Sequence, residues 1–237
     1  GVPLNGTVMP SGNKNAALKM LPACLLTGEP VTLTNVPDIA DVRVTLDLLR
    51  SLGAEVEVLA GNRVRVHAKE ITRHALDREL SQRTRASIVF AGPMLARAGQ
   101  LELPPPGGDV IGRRRLDTHV LALQSLGVQV DFNDSFKMRT SGLRGADILL
   151  DEASVTATEN TLMAAVLAKG TTVIRNAASE PHVQDLCHFL NGLGAQIEGI
   201  GSNVLHIQGK AGLGGGQCTI GPDFMEVGSL IGLAAVT

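Results

Sequence analysis

A unit that recurs three times constrains this chain more than any other feature. Asp41 to Val58 reads DVRVTLDLLRSLGAEVEV, Asp117 to Val130 reads DTHVLALQSLGVQV, and His182 to Ile197 reads HVQDLCHFLNGLGAQI. Each predicts an amphipathic helix ending in Leu-Gly, then a small apolar residue and a strand-like alternation. The glycines, Gly53, Gly127 and Gly194, stand where a helix closes in the left-handed region. A second helix type precedes each of these. Asn15 to Leu26, Arg85 to Ala98 and Asn160 to Lys169 are Ala-rich and apolar nearly all round, as helices buried on most sides are. They end near Gly28, Gly99 and Gly170, and a strand follows each time: VTLTNV, QLELP and TTVIRNA.

The repeat predicts an α/β fold of about threefold pseudo-symmetry, built from βαβαββ-like units with the buried helices inside and the sheets outside. A doubly wound sheet is the opposite arrangement, with central strands apolar on both faces. Asp223 to Thr237 (DFMEVGSLIGLAAVT) reads as the buried helix of a fourth unit whose strand would lie past Thr237. The expectation is therefore half of a larger protein: one complete three-unit domain over 14–222, with 1–13 and 223–237 belonging to a second domain.

Within this frame one loop departs from the repeat. Pro104 to Asp117 packs three prolines, three glycines, the isolated carboxylate Asp109 and the run Arg113-Arg114-Arg115 between two regular segments. Stiff ends and a pliable tip suit a loop that delivers a carboxylate to an anionic substrate, and they equally suit a solvated loop. The N-termini of the buried helices carry the other polar signals. Lys14 and Asn15 open the first, Arg85 the second, and Ser154 to Asn160, with Thr156 and Thr158, the third. A helix N-terminus presents free N–H groups and the positive end of the dipole, so a lysine there has a reason to sit opposite an anion. If the three ends converge, they and their cations form a site for a phosphate-bearing ligand. Thr156 and Thr158 read equally as helix caps.

Composition closes several alternatives. Five Phe with no Trp or Tyr leave no platform for stacking nucleobases, and a net charge of −2 gives no pull toward nucleic acid or a membrane. Cys24, Cys187 and Cys218 are odd in number and far apart, which fits reduced thiols in a cytoplasmic protein. The opening Gly1-Val2-Pro3-Leu4 has no basic n-region, so a secretory signal is not expected. The six histidines form no H-E-x-x-H, and no metal or cofactor is expected. Gly212 to Gly216 precedes a strand and lacks Lys-Ser/Thr, so it reads as a turn and not a phosphate loop.

Together, SGNKNAALKMLPACLL, RTRASIVFAGPMLARAG, PGGDVIGRRRLDTH, ATENTLMAAVLAKGTTVIRNAA and LGGGQCTIGPDFMEVGS resemble the UDP-N-acetylglucosamine 1-carboxyvinyltransferases, in register from about Asn5 to the last residue. The resemblance implies the inside-out α/β barrel of enolpyruvyl transferases, two similar domains with the active site between them, and the first committed step of peptidoglycan synthesis. It implies that Lys14 and Asn15 contact phosphoenolpyruvate and that Arg85 contacts the UDP-sugar. Arg114, Arg115, Leu116, Asp117 and Thr118 match the segment holding the uridine and phosphates, with Arg114 also near the enolpyruvyl group. Glu152, Ala153, Ser154 and Val155 match a second nucleotide-binding segment. Asp109 takes the lid position where most members carry cysteine and a minority aspartate.

The chemistry so implied is addition followed by elimination. Asp109 would protonate the methylene carbon of phosphoenolpyruvate while the 3′-hydroxyl of UDP-N-acetylglucosamine attacks the adjacent carbon. The tetrahedral intermediate then loses phosphate. Lys14 and Arg114 would offset the charge on phosphate and carboxylate. An ordinary aspartate, pKa about 3.9, is ionised at neutral pH, so the reading requires lid closure to desolvate Asp109. The family's proton-accepting aspartate and further arginines belong to the second domain, and nothing in this chain matches them. Two other readings stand beside this one. The first is a non-catalytic domain that binds a UDP-sugar or a structural partner. The second is a shikimate-phosphate type enolpyruvyl transferase, against which Lys14-Asn15 and the Asp109 lid argue.

Overall fold

The computed structural model describes residues 4–108 and 115–237. The first unit runs α1 (Lys14–Ala23), a 3-10 turn (Cys24–Leu26), β1 (Val31–Thr34), α2 (Ala40–Ser51), β2 (Glu55–Leu59), β3 (Arg63–His67) and the short α3 (Arg78–Arg83). The second opens with a 3-10 stretch (Arg85–Phe90) and continues as α4 (Ala91–Ala98), β4 (Gln100–Leu103), α5 (Asp117–Ser125), β5 (Gln129–Phe132), β6 (Phe136–Arg139) and β7 (Asp147–Leu149). The third comprises α6 (Val155–Ala165), β8 (Thr171–Arg175), α7 (Pro181–Gly192), β9 (Gln196–Glu198), β10 (Val204–Gln208) and β11 (Gly216–Thr219), and α8 (Phe224–Val236) follows.

The leading helices α1, α4 and α6 form the centre. In α1 every residue from Ala16 to Ala23 is buried, and in α6 every residue from Ala157 to Ala165. The trailing helices α2, α5 and α7 bury one face only, and strands such as β3 and β4 alternate exposed and buried. Such alternation belongs to sheets with one face on the core and one in water, so the sheets lie outside the helices. Gly53, Gly127 and Gly194 close α2, α5 and α7 at φ 102, 92 and 101, conformations a Cβ would oppose.

Two of the three sheets borrow a strand from the preceding unit, and the middle one takes a single bridging residue. β7 pairs parallel with β8, Ala75 bridges parallel to Glu102 in β4, and β11 pairs parallel with β1. The last pairing returns the third unit to the first and closes the ring. The borrowed strands are short: β7 had no place in the sequence reading, and β11 forms where a strand was expected after Gly212–Gly216, though its partner was not foreseen.

Two helix boundaries differ from the sequence expectation, and one helix differs in burial. The helix expected from Asn160 begins at Val155, because the Ser154 hydroxyl accepts from the Ala157 N–H and caps it earlier. The helix expected over Arg85–Ala98 is 3-10 as far as Phe90. Helix α8 forms at the expected place, capped by Asp223, but none of its residues is buried among the described residues, and Met225, Ile231 and Val236 are exposed.

Candidate active site

Three N-termini meet. Asn13 caps α1 by accepting from the Ala16 N–H, Thr84 caps the 3-10 stretch by accepting from the Ala86 N–H, and Ser154 caps α6. The polar side chains at these ends line one cavity of about 300 Å³: Lys14, Asn15 and Lys19 from α1, Arg83 from the end of α3, Thr84 and Arg85 from the start of the second unit, and Thr156 from α6. Asp41 at the start of α2 and Gly108 complete it. Among the described residues four cations face one carboxylate, and the dipoles of the converging helices add to the positive potential. A larger recess of about 600 Å³ lies at the other end of the same helices, lined by Leu95 to Gly99 and Leu167 to Gly170. That end carries the negative dipole termini, so electrostatics select the smaller cavity for an anion.

Of the residues singled out from the sequence, Lys14, Asn15 and Arg85 come together here. Lys14 pairs with Asp41, and its backbone N–H donates to Asp223 Oδ2 at 3.4 Å. Arg85 donates to the Arg115 carbonyl at 3.3 Å, which brings the second predicted group alongside. In that group Arg115 forms an ion pair with Asp117 and stands 3.6 Å from Asp151, while the Thr118 hydroxyl donates to Asp151 Oδ1 at 2.6 Å. Asp151 thus joins 115–118 to 152–155. The Arg115 guanidinium, through its hydrogen bonds and charge, holds the exposed Asp117 carboxyl below the usual range. Leu116 precedes α5, Glu152 accepts from the Ser154 N–H through its carbonyl, and Ala153 is exposed. Asp109 and Arg114 lie outside the described residues.

The sequence left Thr156 and Thr158 open between caps and ligand contacts. Neither is the cap. Thr158 is fully buried, donating to the Ser154 carbonyl and accepting from the Ala178 N–H, whereas Thr156 faces the cavity. The sequence reading missed Asp41, Lys19 and His119. Lys19 is visible in retrospect as the one charge interrupting the apolar run NAALKMLPACLL, and it is 5% exposed. Beneath it Glu159 is fully buried, and burial pushes its carboxyl up to about 7 against the pull of Lys19. Among the described residues, no cluster of three or more His, Cys, Asp or Glu could hold a metal ion, and no helix is long and apolar enough to cross a membrane.

Comparison with known proteins adds a family. The model for EPSP synthase (3-phosphoshikimate 1-carboxyvinyltransferase) matches residues 1–237. Proteins named UDP-N-acetylglucosamine 1-carboxyvinyltransferase from Bradyrhizobium diazoefficiens and Treponema pallidum are 60% and 58% identical, over 99% and 100% of this chain and 54% and 56% of their own. The solved structure of the enolpyruvyl transferase NikO from Streptomyces tendae matches with a TM-score of 0.84 at 25% identity, over 98% of this chain and 55% of its own. EPSP synthase from Acinetobacter baumannii gives a TM-score of 0.74 at 18% identity, over 95% of this chain and 52% of its own, a likeness of fold. The chain spans about half the length of the curated relatives it matches. On the match along its whole length and these identities, the chain belongs to the EPSP synthase family of carboxyvinyltransferases.

Proposed function

We propose that this chain supplies the nucleotide-sugar half of an enzyme that moves the enolpyruvyl group of phosphoenolpyruvate to the 3′-hydroxyl of UDP-N-acetylglucosamine, releasing phosphate. The enzyme would act in the cytoplasm, in peptidoglycan synthesis and so in cell shape and division. The observation that carries the reading is the cationic cavity at three converging helix N-termini, in a chain 60% identical to a protein of that name. Lys14 and Asn15 take the phosphoenolpyruvate end of the cavity, and Arg85 the UDP-sugar end. Arg115 to Thr118 and Glu152 to Val155 hold the nucleotide, and Arg114 reaches the enolpyruvyl group. Asp109 donates the proton to the methylene carbon.

Residues 14–222 form one domain in this reading, and 1–13 and 223–237 belong to a second. Two features support the division: the β11–β1 pairing closes the ring before α8, and α8 leaves its apolar side chains uncovered. Because the reading places the proton-accepting aspartate in that second domain, the chain binds substrate without completing turnover. Calorimetric titration with UDP-N-acetylglucosamine, with and without phosphoenolpyruvate, beside a phosphate-release assay, tests this. Micromolar binding without release is expected; absence of binding would overturn it.

A further inference from the structure

Behind Thr156 lies a hydrogen-bond chain whose direction can be worked out atom by atom. The Gly92 N–H donates to Asn160 Oδ1 at 2.6 Å, and Asn160 Nδ2 donates to the Ile88 carbonyl at 3.1 Å. A backbone N–H can only donate and a backbone carbonyl can only accept, so the two contacts fix which end of the amide is which. The second hydrogen of Asn160 Nδ2 points at His119 Nδ1, 3.1 Å away. That ring nitrogen is therefore the bare one, and the proton sits on Nε2. Nε2 lies 3.0 Å from Thr156 Oγ1 and donates to it. Protonating Nδ1 would set a donor against a donor. Burial first, and then the charge of Arg85, also hold the ring neutral by pulling its pKa down to about 4.

Thr156 Oγ1 accepts from His119, so its own hydrogen remains to be donated. Among the described residues it has no acceptor, and the side chain borders the cavity beside Lys14, Lys19, Arg83 and Arg85. The chain behind it is rigid: Asn160 is fully buried and His119 is 3% exposed. A polar network that is satisfied at every member orients its last group, and a hydroxyl pre-aimed at an anion forms a charge-assisted bond without reorganisation.

We propose that Thr156 is an anion-binding residue of this cavity, donating its hydroxyl proton to a phosphate oxygen, and that His119 and Asn160 are positioning residues that set its direction. The inference rests on the proposed function only for the identity of the phosphate's owner.

The test has two probes, inorganic phosphate and UDP-N-acetylglucosamine, titrated calorimetrically into the whole chain and its variants. Thr156→Val should weaken both by about tenfold or more, and Thr156→Ser should return to within about threefold of the parent. Nitrogen-15 NMR of the imidazoles should show His119 neutral at pH 7, with Nε2 protonated and Nδ1 bare. A purely structural histidine would carry no such requirement. Nδ1 protonated, or Thr156→Val binding both probes like the parent, would overturn the proposal. Phosphate binding that depends on Thr156, without any UDP-sugar binding, would uphold it and sink the proposed function. UDP-sugar binding that ignores Thr156 would do the reverse.

Discussion

Lys19 Nζ stands 3.4 Å from Glu159 Oε2 between the central helices α1 and α6, with Glu159 fully buried and Lys19 touching only the floor of the cavity. Among the described residues neither Glu159 oxygen has a partner at good hydrogen-bond geometry, so Lys19 acts on it chiefly through charge, and His182 Nε2 lies 3.9 Å from Oε1. Desolvation raises the Glu159 carboxyl to about 7, Lys19 opposes it, and Glu180 adds to the rise. A carboxyl raised by folding contributes stability that is complete below its ordinary value, near 4.5, and lost as pH climbs through about 7. The window corresponds to about 3 kcal/mol. His119 and His182, both lowered to about 4, run the opposite way, losing their contribution as pH falls from 6.5. Comparison with Glu159→Gln isolates the glutamate. Between pH 5 and pH 8 the variant should gain about 2–3 kcal/mol relative to the parent in urea unfolding. Parallel profiles would show that the carboxyl is not raised.

Much of this architecture could be read from the sequence because the repeat is written in backbone chemistry. Gly53, Gly127 and Gly194 mark helix ends that no other residue closes as easily, and the runs beside them have unmistakable periods. The borrowed strand β7 was not legible, being only three residues long, and although a strand was expected after Gly212–Gly216, the pairing of β11 with β1 was not, because it is set by a neighbour in another unit. Cations at helix N-termini announced the cavity itself. Asp41 and His119 did not announce themselves, since their roles depend on what lies opposite in space. Asp41 looks like an ordinary first-turn acid of α2.

That acid bears on ligand affinity. Asp41 holds Lys14 across the cavity mouth, so an entering phosphate competes with a carboxylate for the same ammonium. Removing the carboxylate charge should favour the anion by about 1 kcal/mol at these partly exposed positions. Asp41→Asn is expected to tighten inorganic phosphate about fivefold at low salt, with the gain shrinking at 300 mM, while Lys14→Met weakens it at least tenfold. Weaker phosphate binding in Asp41→Asn would mean that Asp41 aims the ammonium instead of competing for it.

A second site of tight constraint is the crossing of 11–13 with 221–223. The Asn13 N–H donates to the Gly221 carbonyl at 2.8 Å, the Asp223 N–H to the Ser11 carbonyl at 2.8 Å, and Asn35 Nδ2 to the Ile220 carbonyl at 3.0 Å. A Cβ on Gly12 would sit 1.8 Å from the Asn35 carbonyl oxygen, a backbone atom fixed between β1 and the crossing. Gly12→Ala should therefore cost about 2–4 kcal/mol in denaturant unfolding. Gly212→Ala, where a Cβ meets nothing within 4 Å, should stay within about 0.5 kcal/mol of the parent. Equal midpoints for the two would refute the clash.

Asp109 offers a chemical test that needs no coordinates for it. The resemblance puts it where most members of the group carry cysteine, and a carboxylate is a far poorer nucleophile toward an epoxide than a thiolate. In the proposed enzyme, fosfomycin should leave the parent chain unmodified over hours at millimolar concentration. Asp109→Cys should instead take up one fosfomycin mass in a time-dependent way, read by intact-mass spectrometry. UDP-N-acetylglucosamine should accelerate that labelling, since the reading puts Arg115 to Thr118, at the foot of the same loop, on the nucleotide. Labelling of the parent at Asp109 would overturn the assignment of its inertness. Labelling of the variant at a rate indifferent to the UDP-sugar would separate the lid from the nucleotide site.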